Sequence, residues 1–381
     1  MKEPKLLPTA KDKTLFTPGP LTTSLSVKQA MLRDIGSRDD ALIELLRNIR
    51  VRLLTLAGVT REDGYETILM QGSGTFGVES VLASVVPRQG KLIILTNGAY
   101  GERMVRMAAV LQIDATVLRG PESQMPDRQV LRQTLSANRG VTHVAVVHCE
   151  TTTGILNPIV EIGQIAKEFG ADYIVDAMSS FGAVPIDVKR ACIDYLISSA
   201  NKCIEGVPGF SFVIARREPL LASEGRARSL SLDLLGQLKG FEDTGQFRFT
   251  PPTHVLLAFD QALKELDQEG GVEGRAGRYR RNHEVLLRGM HKLGFRSYLE
   301  PALQSYIVTA FHYPDHSNFD FAEFYDRLRD KGMIIYLGKV SQADSFRIGC
   351  IGRIFESDVR ALLAAVAETL EEMGVKVISG V

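Results

Sequence analysis

Short apolar runs recur along this chain, each about as long as one strand, with helix-patterned sequence between most of them. ETILM (66–70), KLIILT (91–96), THVAVVH (142–148), YIVDA (173–177), DYLIS (194–198) and FSFVIA (210–215) are apolar through most of their length rather than at alternate positions. A strand with one wet face alternates; a strand apolar throughout is covered on both faces. Helical stretches begin near residues 75 and 100 and cover about 160–169. This succession predicts an α/β fold with a mostly parallel sheet between helices. In open sheets of that kind ligands bind beyond the carboxyl ends of the strands, so the residues just after each run carry the functional reading.

The rest of the chain divides around that block. Residues 1–20 are rich in Pro and Lys, end in TPGP, and read as an extended arm. Helical patterning covers about 26–57. Residues 254–293 read as long helices with a break near the Gly-rich stretch 270–277. From about 295 the pattern restarts: SYIVTAFHY (305–313) as a strand, FAEFYDRLRDKG (321–332) as a helix, SFRIGCIG (345–352) as a strand, and 356–373 as a helix. The expected division is an arm over 1–20, a large domain over 21–278 and a small C-terminal α/β domain over 279–381.

The chain's 381 residues, 45% of them hydrophobic, can bury a large core. Lys+Arg and Asp+Glu both number 45, so the formal charge is zero and no nucleic-acid or membrane surface is expected. The basic run GRAGRYRRNH (274–283) reads as a solvated helix face or an interface. Cys149, Cys192, Cys203 and Cys350 are scattered without a C-x-x-C pair, which argues against a disulfide framework or zinc knuckle and suits a reducing compartment. MKEPKLLPTAKDK lacks the apolar core of a signal peptide, and no run reaches the length of a membrane span. A cytoplasmic location is expected.

Lys202 follows the run DYLIS in SSANKCIEGVPG, between two buried strands, where little else is large or charged. It reads either as a loop lysine reaching water or as a lysine kept partly dry, whose neutral amine can form a Schiff base with an aldehyde. Asp176 ends YIVDA. It is a turn or cap residue, or a carboxylate that holds a proton on a ring nitrogen, as a pyridoxal ring needs in order to act as an electron sink. In QGSGTFGVES (71–80), Ser73, Gly74 and Thr75 would offer backbone N–H groups and two hydroxyls at a helix N-terminus, a site suited to phosphate. The loop is neither a Walker A sequence nor a full dinucleotide fingerprint. Tyr100, in NGAYGER (97–103), is a core tyrosine or one that lays its face on a planar cofactor. HCETTTG (148–154) has the wrong spacing for metal ligands and reads as a hydroxyl-rich loop, Thr151 to Thr153, bordering a site; no metal is expected. Arg347, inside SFRIGCIG, is a structural ion pair or a carboxylate fork. FRFTPPTH (247–254) is a helix start or a rigid loop whose Thr250 hydroxyl could reach a phosphate.

Taken in order, GSGT, NGAYG, ETTTG, DAMSSFG, SSANKCIEGVPG and FRIG resemble the class V aminotransferases of pyridoxal-phosphate fold type I, over about 14–375. LFTPGPLTTSLSVKQAMLRDIGSRD (15–39), HCETTTGILNPI (148–159) and ANKCIEGVPGFSFVIAR (200–216) are similar to the 2-aminoethylphosphonate–pyruvate branch of that family. The resemblance implies a large domain built on a mostly parallel, seven-stranded-type sheet and a smaller C-terminal α/β domain. It implies that Lys202 binds pyridoxal 5′-phosphate covalently and that Asp176 holds its pyridinium. Ser73, Gly74 and Thr75 would cradle its phosphate, joined by Thr250 of a neighbouring subunit in a homodimer with shared sites. Tyr100 and Thr152 would also contact the cofactor. Arg347, with Gly19 and Thr151, would bind substrate, and Arg33 or Arg248 could add positive field. The chain lacks tryptophan, so any tryptophan stack used by relatives is replaced here. The implied activity is transamination of 2-aminoethylphosphonate with pyruvate to phosphonoacetaldehyde and L-alanine, in phosphonate catabolism. The alternative is a serine– or alanine–glyoxylate (or –pyruvate) aminotransferase of the same fold.

Overall fold

The computed structural model describes residues 12–375 apart from Lys339 and Gln342. Its centre is a seven-stranded sheet. In sheet order the strands are Tyr65–Gln71, Phe210–Arg216, Tyr195–Ser199, Asp172–Asp176, Val141–Val147, Lys91–Thr96 and Asp114–Arg119. Phe210–Arg216 runs antiparallel to both its neighbours, and the other pairings are parallel. Helices on the sheet faces explain the apolar runs: Tyr195–Ser199 is buried at every position, and Phe210–Arg216 at every position but its last.

The strand Asp114–Arg119 has no counterpart among the apolar runs. It forms an edge and no position in it is buried, with Asp114, Thr116 and Arg119 exposed, so DATVLR never had to be apolar on both faces. Helix over 26–57 is interrupted. Leu25–Gln29 runs into a 3-10 turn at Ala30–Leu32, Arg33 is extended, and a new helix, Asp40–Leu56, starts where the Asp39 side chain accepts from the N–H of Ala41. The polar segment around Gly36 breaks what periodicity alone would join.

A second apolar cluster holds the C-terminal part. Val308–His312 and Tyr336–Leu337 flank Ser345–Gly349 in an antiparallel sheet, and Phe321–Asp330 and Glu356–Glu372 pack together nearby. The expected division at 278/279 passes through one continuous helix, Gly271–Lys292. The described part of the arm is wired into this C-terminal layer: Thr14–Leu15 pairs in parallel with Met333–Ile334, and Phe16 is fully buried there.

The basic run is not simply a wet helix face. Arg275 is wholly buried and Arg278 nearly so, in a cluster with Glu205, Glu269 and Tyr279. Arg275 Nη1 donates to the Cys203 carbonyl (2.5 Å), and Arg278 Nη1 donates to that of Gly352 (2.5 Å). One buried ionic knot therefore ties the turn after Lys202 to the loop after Arg347's strand. The four cysteines are free, and among the described residues no helix is long and apolar enough to cross a membrane.

Candidate active site

Five strand ends converge on one edge of the sheet. Tyr65–Gln71 leads into Ser73, Lys91–Thr96 into Tyr100, Val141–Val147 into Glu150, Asp172–Asp176 ends on Asp176, and Tyr195–Ser199 leads into Lys202. Lys202, Asp176, Ser73–Thr75, Tyr100 and Arg103 line a common cavity there.

Lys202 is half-buried where it lines that cavity. The protein around its amine lowers its pKa to about 8, chiefly through desolvation, against the pull of nearby anionic groups such as Asp176. Its Nζ donates to the carbonyl of Pro18 (2.6 Å). The arm thus closes one side of the site, with Gly19 beside the lysine. Gly19 has φ of +116°, and a Cβ there would lie 2.8 Å from both Cδ and Nζ of Lys202. A glycine is needed for the backbone angle and for the approach alike.

Asp176 is buried at the strand end, and one carboxylate oxygen accepts from the N–H of Met178 (2.9 Å). Burial pushes its pKa up to about 6; Glu150 adds to the rise, and Lys202 and Arg103 oppose it. Its other oxygen accepts no hydrogen bond from the described residues.

Ser73 is extended at the N-cap of the helix Gly74–Val85, yet its side chain makes no capping bond. Ser73, Gly74 and Thr75 line the cavity, so the uncapped start of the helix borders it. Arg103 Nη1 donates to Thr75 Oγ1 (3.0 Å), and its guanidinium lies 4.8 Å from the centroid of the Tyr100 ring. In NGAYGER the sequence singles out Tyr100 and gives Arg103 no role of its own. Its spacing of three from Tyr100 on a helix was the available signal, since residues that far apart share a face.

Arg347 is buried within Ser345–Gly349. It donates through Nε to the Leu337 carbonyl (3.1 Å) and through Nη1 to that of Thr151 (2.9 Å). Burial lowers its pKa, opposed by the neighbouring Tyr100 and Tyr336 hydroxyls. Tyr100 thus links the cavity wall to Arg347. Thr151 shares a hydrogen bond with Ser179 (2.7 Å) through its hydroxyl. The Thr152 hydroxyl donates to Glu150 (2.7 Å) and accepts from the N–H of Ala99 (2.8 Å), which leaves it one layer behind the cavity. Thr250 is exposed, its carbonyl accepting from Gln71, and it lies away from the cavity walls of its own chain. Arg33 is exposed, while Arg248 pairs with Asp233 (3.6 Å); neither lines the cavity.

This residue set fits pyridoxal phosphate. It combines a lysine of lowered pKa, a buried carboxylate with an oxygen to spare, and an uncapped helix N-terminus flanked by hydroxyls and a guanidinium. Among the described residues no group of three or more His, Cys, Asp or Glu is placed to hold a metal ion.

The fold and this site define a class of protein, and comparison with known proteins bears it out. The class-V aminotransferase family model matches residues 24–342. The chain belongs to that family. A curated relative from Klebsiella pneumoniae subsp. pneumoniae, a 2-aminoethylphosphonate–pyruvate transaminase, is 53% identical over 360 residues, which is 94% of this chain and 98% of that protein. Among solved structures, alanine–glyoxylate aminotransferase from Nostoc sp. superposes with a TM-score of 0.87 at 25% identity, covering 96% of this chain and 97% of that one. Ureidoglycine–glyoxylate aminotransferase from Bacillus subtilis superposes with a TM-score of 0.88 at 23% identity, covering 98% and 96%, and shares the fold.

Proposed function

We propose that the chain is a pyridoxal-phosphate enzyme that transfers the amino group of 2-aminoethylphosphonate to pyruvate, giving phosphonoacetaldehyde and L-alanine. The observation that carries the reading is the meeting, in one cavity, of a lysine with lowered pKa, Asp176 and the Ser73–Thr75 helix start. The choice of substrates rests on the 53% identical relative.

When bound, pyridoxal phosphate supplies an aldehyde that takes up the amino group and a ring that accepts the electron pair left as a proton departs. The protein's tasks are to bind, orient and move protons. Lys202 would hold the cofactor covalently through Nζ. Once the donor's amine has taken its place, its free amine would take the proton from the amine-bearing carbon of the donor and pass it to the aldehyde-derived carbon of the cofactor, and in the second half-reaction it would carry a proton from that carbon to the acceptor carbon. Asp176, as a carboxylate, holds the proton on the ring nitrogen. Ser73, the amides of Gly74 and Thr75, and the Arg103 guanidinium hold the phosphate. Tyr100 flanks the ring, and Arg347 takes the carboxylate of pyruvate or alanine and the phosphonate of the other donor.

Thr250 is exposed and does not line the cavity of its own chain, which supports a homodimer in which it reaches the partner's phosphate. The free cysteines support a cytoplasmic setting.

Initial rates with 2-aminoethylphosphonate, serine or alanine as donor, each with pyruvate and with glyoxylate as acceptor, test the substrate assignment. The phosphonate–pyruvate pair is expected to dominate. Preference for serine or alanine with glyoxylate would move the chain to the glyoxylate transaminases.

A further inference from the structure

The helix Ala99–Val110 begins without a cap of its own. Its N-cap is Gly98, which has no side chain to offer. The first amides of a helix have no partner within it, and they must be satisfied from elsewhere. Here the partner comes from the loop after another strand. Glu150, wholly buried, accepts from the N–H of Tyr100 (3.3 Å) through Oε1 and from that of Gly101 (3.2 Å) through Oε2. Oε1 also accepts from the hydroxyl (2.7 Å) and N–H (3.2 Å) of Thr152, and that hydroxyl accepts from the N–H of Ala99 (2.8 Å). Ala99, Tyr100 and Gly101 are thus all satisfied by one Glu–Thr pair. A Cβ at position 98 would run into Glu150 Cγ and Cδ, so the glycine leaves room for the carboxylate to reach the helix end.

A buried carboxylate normally needs a countercharge. Glu150 makes no ion pair with the described residues; burial raises its pKa, opposed by the Thr152 hydroxyl and N–H and by the Gly101 and Tyr100 N–H groups at the positive end of the helix. The first turn and a half of that helix presents Tyr100 and Arg103 to the cavity. The residue after Glu150, Thr151, gives its carbonyl to Arg347.

We propose that Glu150 is a positioning residue: by capping this helix from the neighbouring strand end, it sets where Tyr100 and Arg103 stand and so how the cofactor is gripped. The inference rests on the cavity being the pyridoxal-phosphate site. Glu150 does not line the cavity, so its effect on binding passes through the helix.

The test uses full-length apoprotein titrated with pyridoxal phosphate, read by visible absorbance and visible circular dichroism, with the melting temperature of each apoprotein measured alongside. Glu150→Gln keeps Oε1 and its three hydrogen bonds but turns an amide donor toward the Gly101 N–H in place of Oε2, so it is expected to weaken binding about three- to tenfold. Glu150→Asp keeps the charge but falls one methylene short of the helix. It is expected to weaken binding by roughly tenfold or more, and to weaken the dichroism per bound cofactor, while the apoprotein still melts cooperatively. Glu150→Asp binding as tightly as wild type with the same dichroism would overturn the proposal. So would Glu150→Gln binding as tightly as wild type, since the Gly101 N–H would then need no acceptor from residue 150. Wild-type protein that develops no visible band would instead refute the cofactor reading on which the proposal stands.

Discussion

At the scale of single residues, Lys202 has what a covalent cofactor site needs: an amine depressed to about pKa 8, backed by a carboxylate and faced by a cavity. Lys202→Ala is expected to remove transamination while leaving the melting temperature within a few degrees of wild type, checked by assay and calorimetry side by side. Gly19→Ala is a sharper probe, because residue 19 was legible only as part of a resemblance to relatives. Its positive φ and the closeness of Lys202 explain it. The added methyl should cost about 1–3 kcal/mol of stability and displace the amine, so kcat should fall well beyond what the stability loss explains. Asp176 carries a pH prediction. Its pKa in the folded apoprotein is raised to about 6, so the carboxylate that must face the ring nitrogen is protonated as pH falls through about 6. Affinity of the apoprotein for pyridoxal phosphate should weaken over that window, and Asp176→Asn should bind weakly without it.

At the scale of elements, the strand ends were legible because burial on both faces writes apolar runs into the sequence, and ligands gather where such strands stop. What could not be read was anything set by packing between distant segments. The edge strand Asp114–Arg119 left no apolar run because one of its sides is wet. Arg103 and Glu150 lie inside motifs that drew notice for other residues, and their roles come from contacts across the fold. The basic run 274–283 read as a solvated helix face or an interface because charge is normally outside. Its two innermost arginines are instead neutralised by Glu205 and Glu269. Removing Arg275 leaves Arg278 as the one cation shared by both carboxylates and takes a donor from the Cys203 carbonyl, so Arg275→Ala should destabilise the protein by about 3 kcal/mol in urea unfolding, the low end for a broken buried pair. Burial alone would raise the pKa of Glu269, but Arg278 and Arg275 win and hold it down at about 2. Its stabilising contribution should therefore be complete above about pH 4.5, the ordinary value, and be lost as pH falls toward 2. Acid titration of wild type against Glu269→Gln would display the difference.

At the scale of the whole molecule, the arm, the large sheet and the C-terminal layer meet at Lys202: Pro18 from the arm, Asp176 from the sheet, and the Arg275–Arg278 knot from the helix that joins the two layers. Arg347 brings the C-terminal sheet to the same place through the Thr151 carbonyl. If Thr250 serves the partner's site, two defective chains should complement each other. Mixing Lys202→Ala with Thr250→Asp protein under conditions that exchange subunits should restore activity approaching a quarter of wild type, because a mixed dimer holds one intact site; no recovery would argue for sites complete within one chain. The central claim is tested most directly by the visible absorbance of the pyridoxal-phosphate-loaded protein on adding 2-aminoethylphosphonate alone and then pyruvate. The visible band should bleach with the phosphonate and return with pyruvate. A band that ignores the phosphonate but bleaches with serine or alanine would contradict that claim.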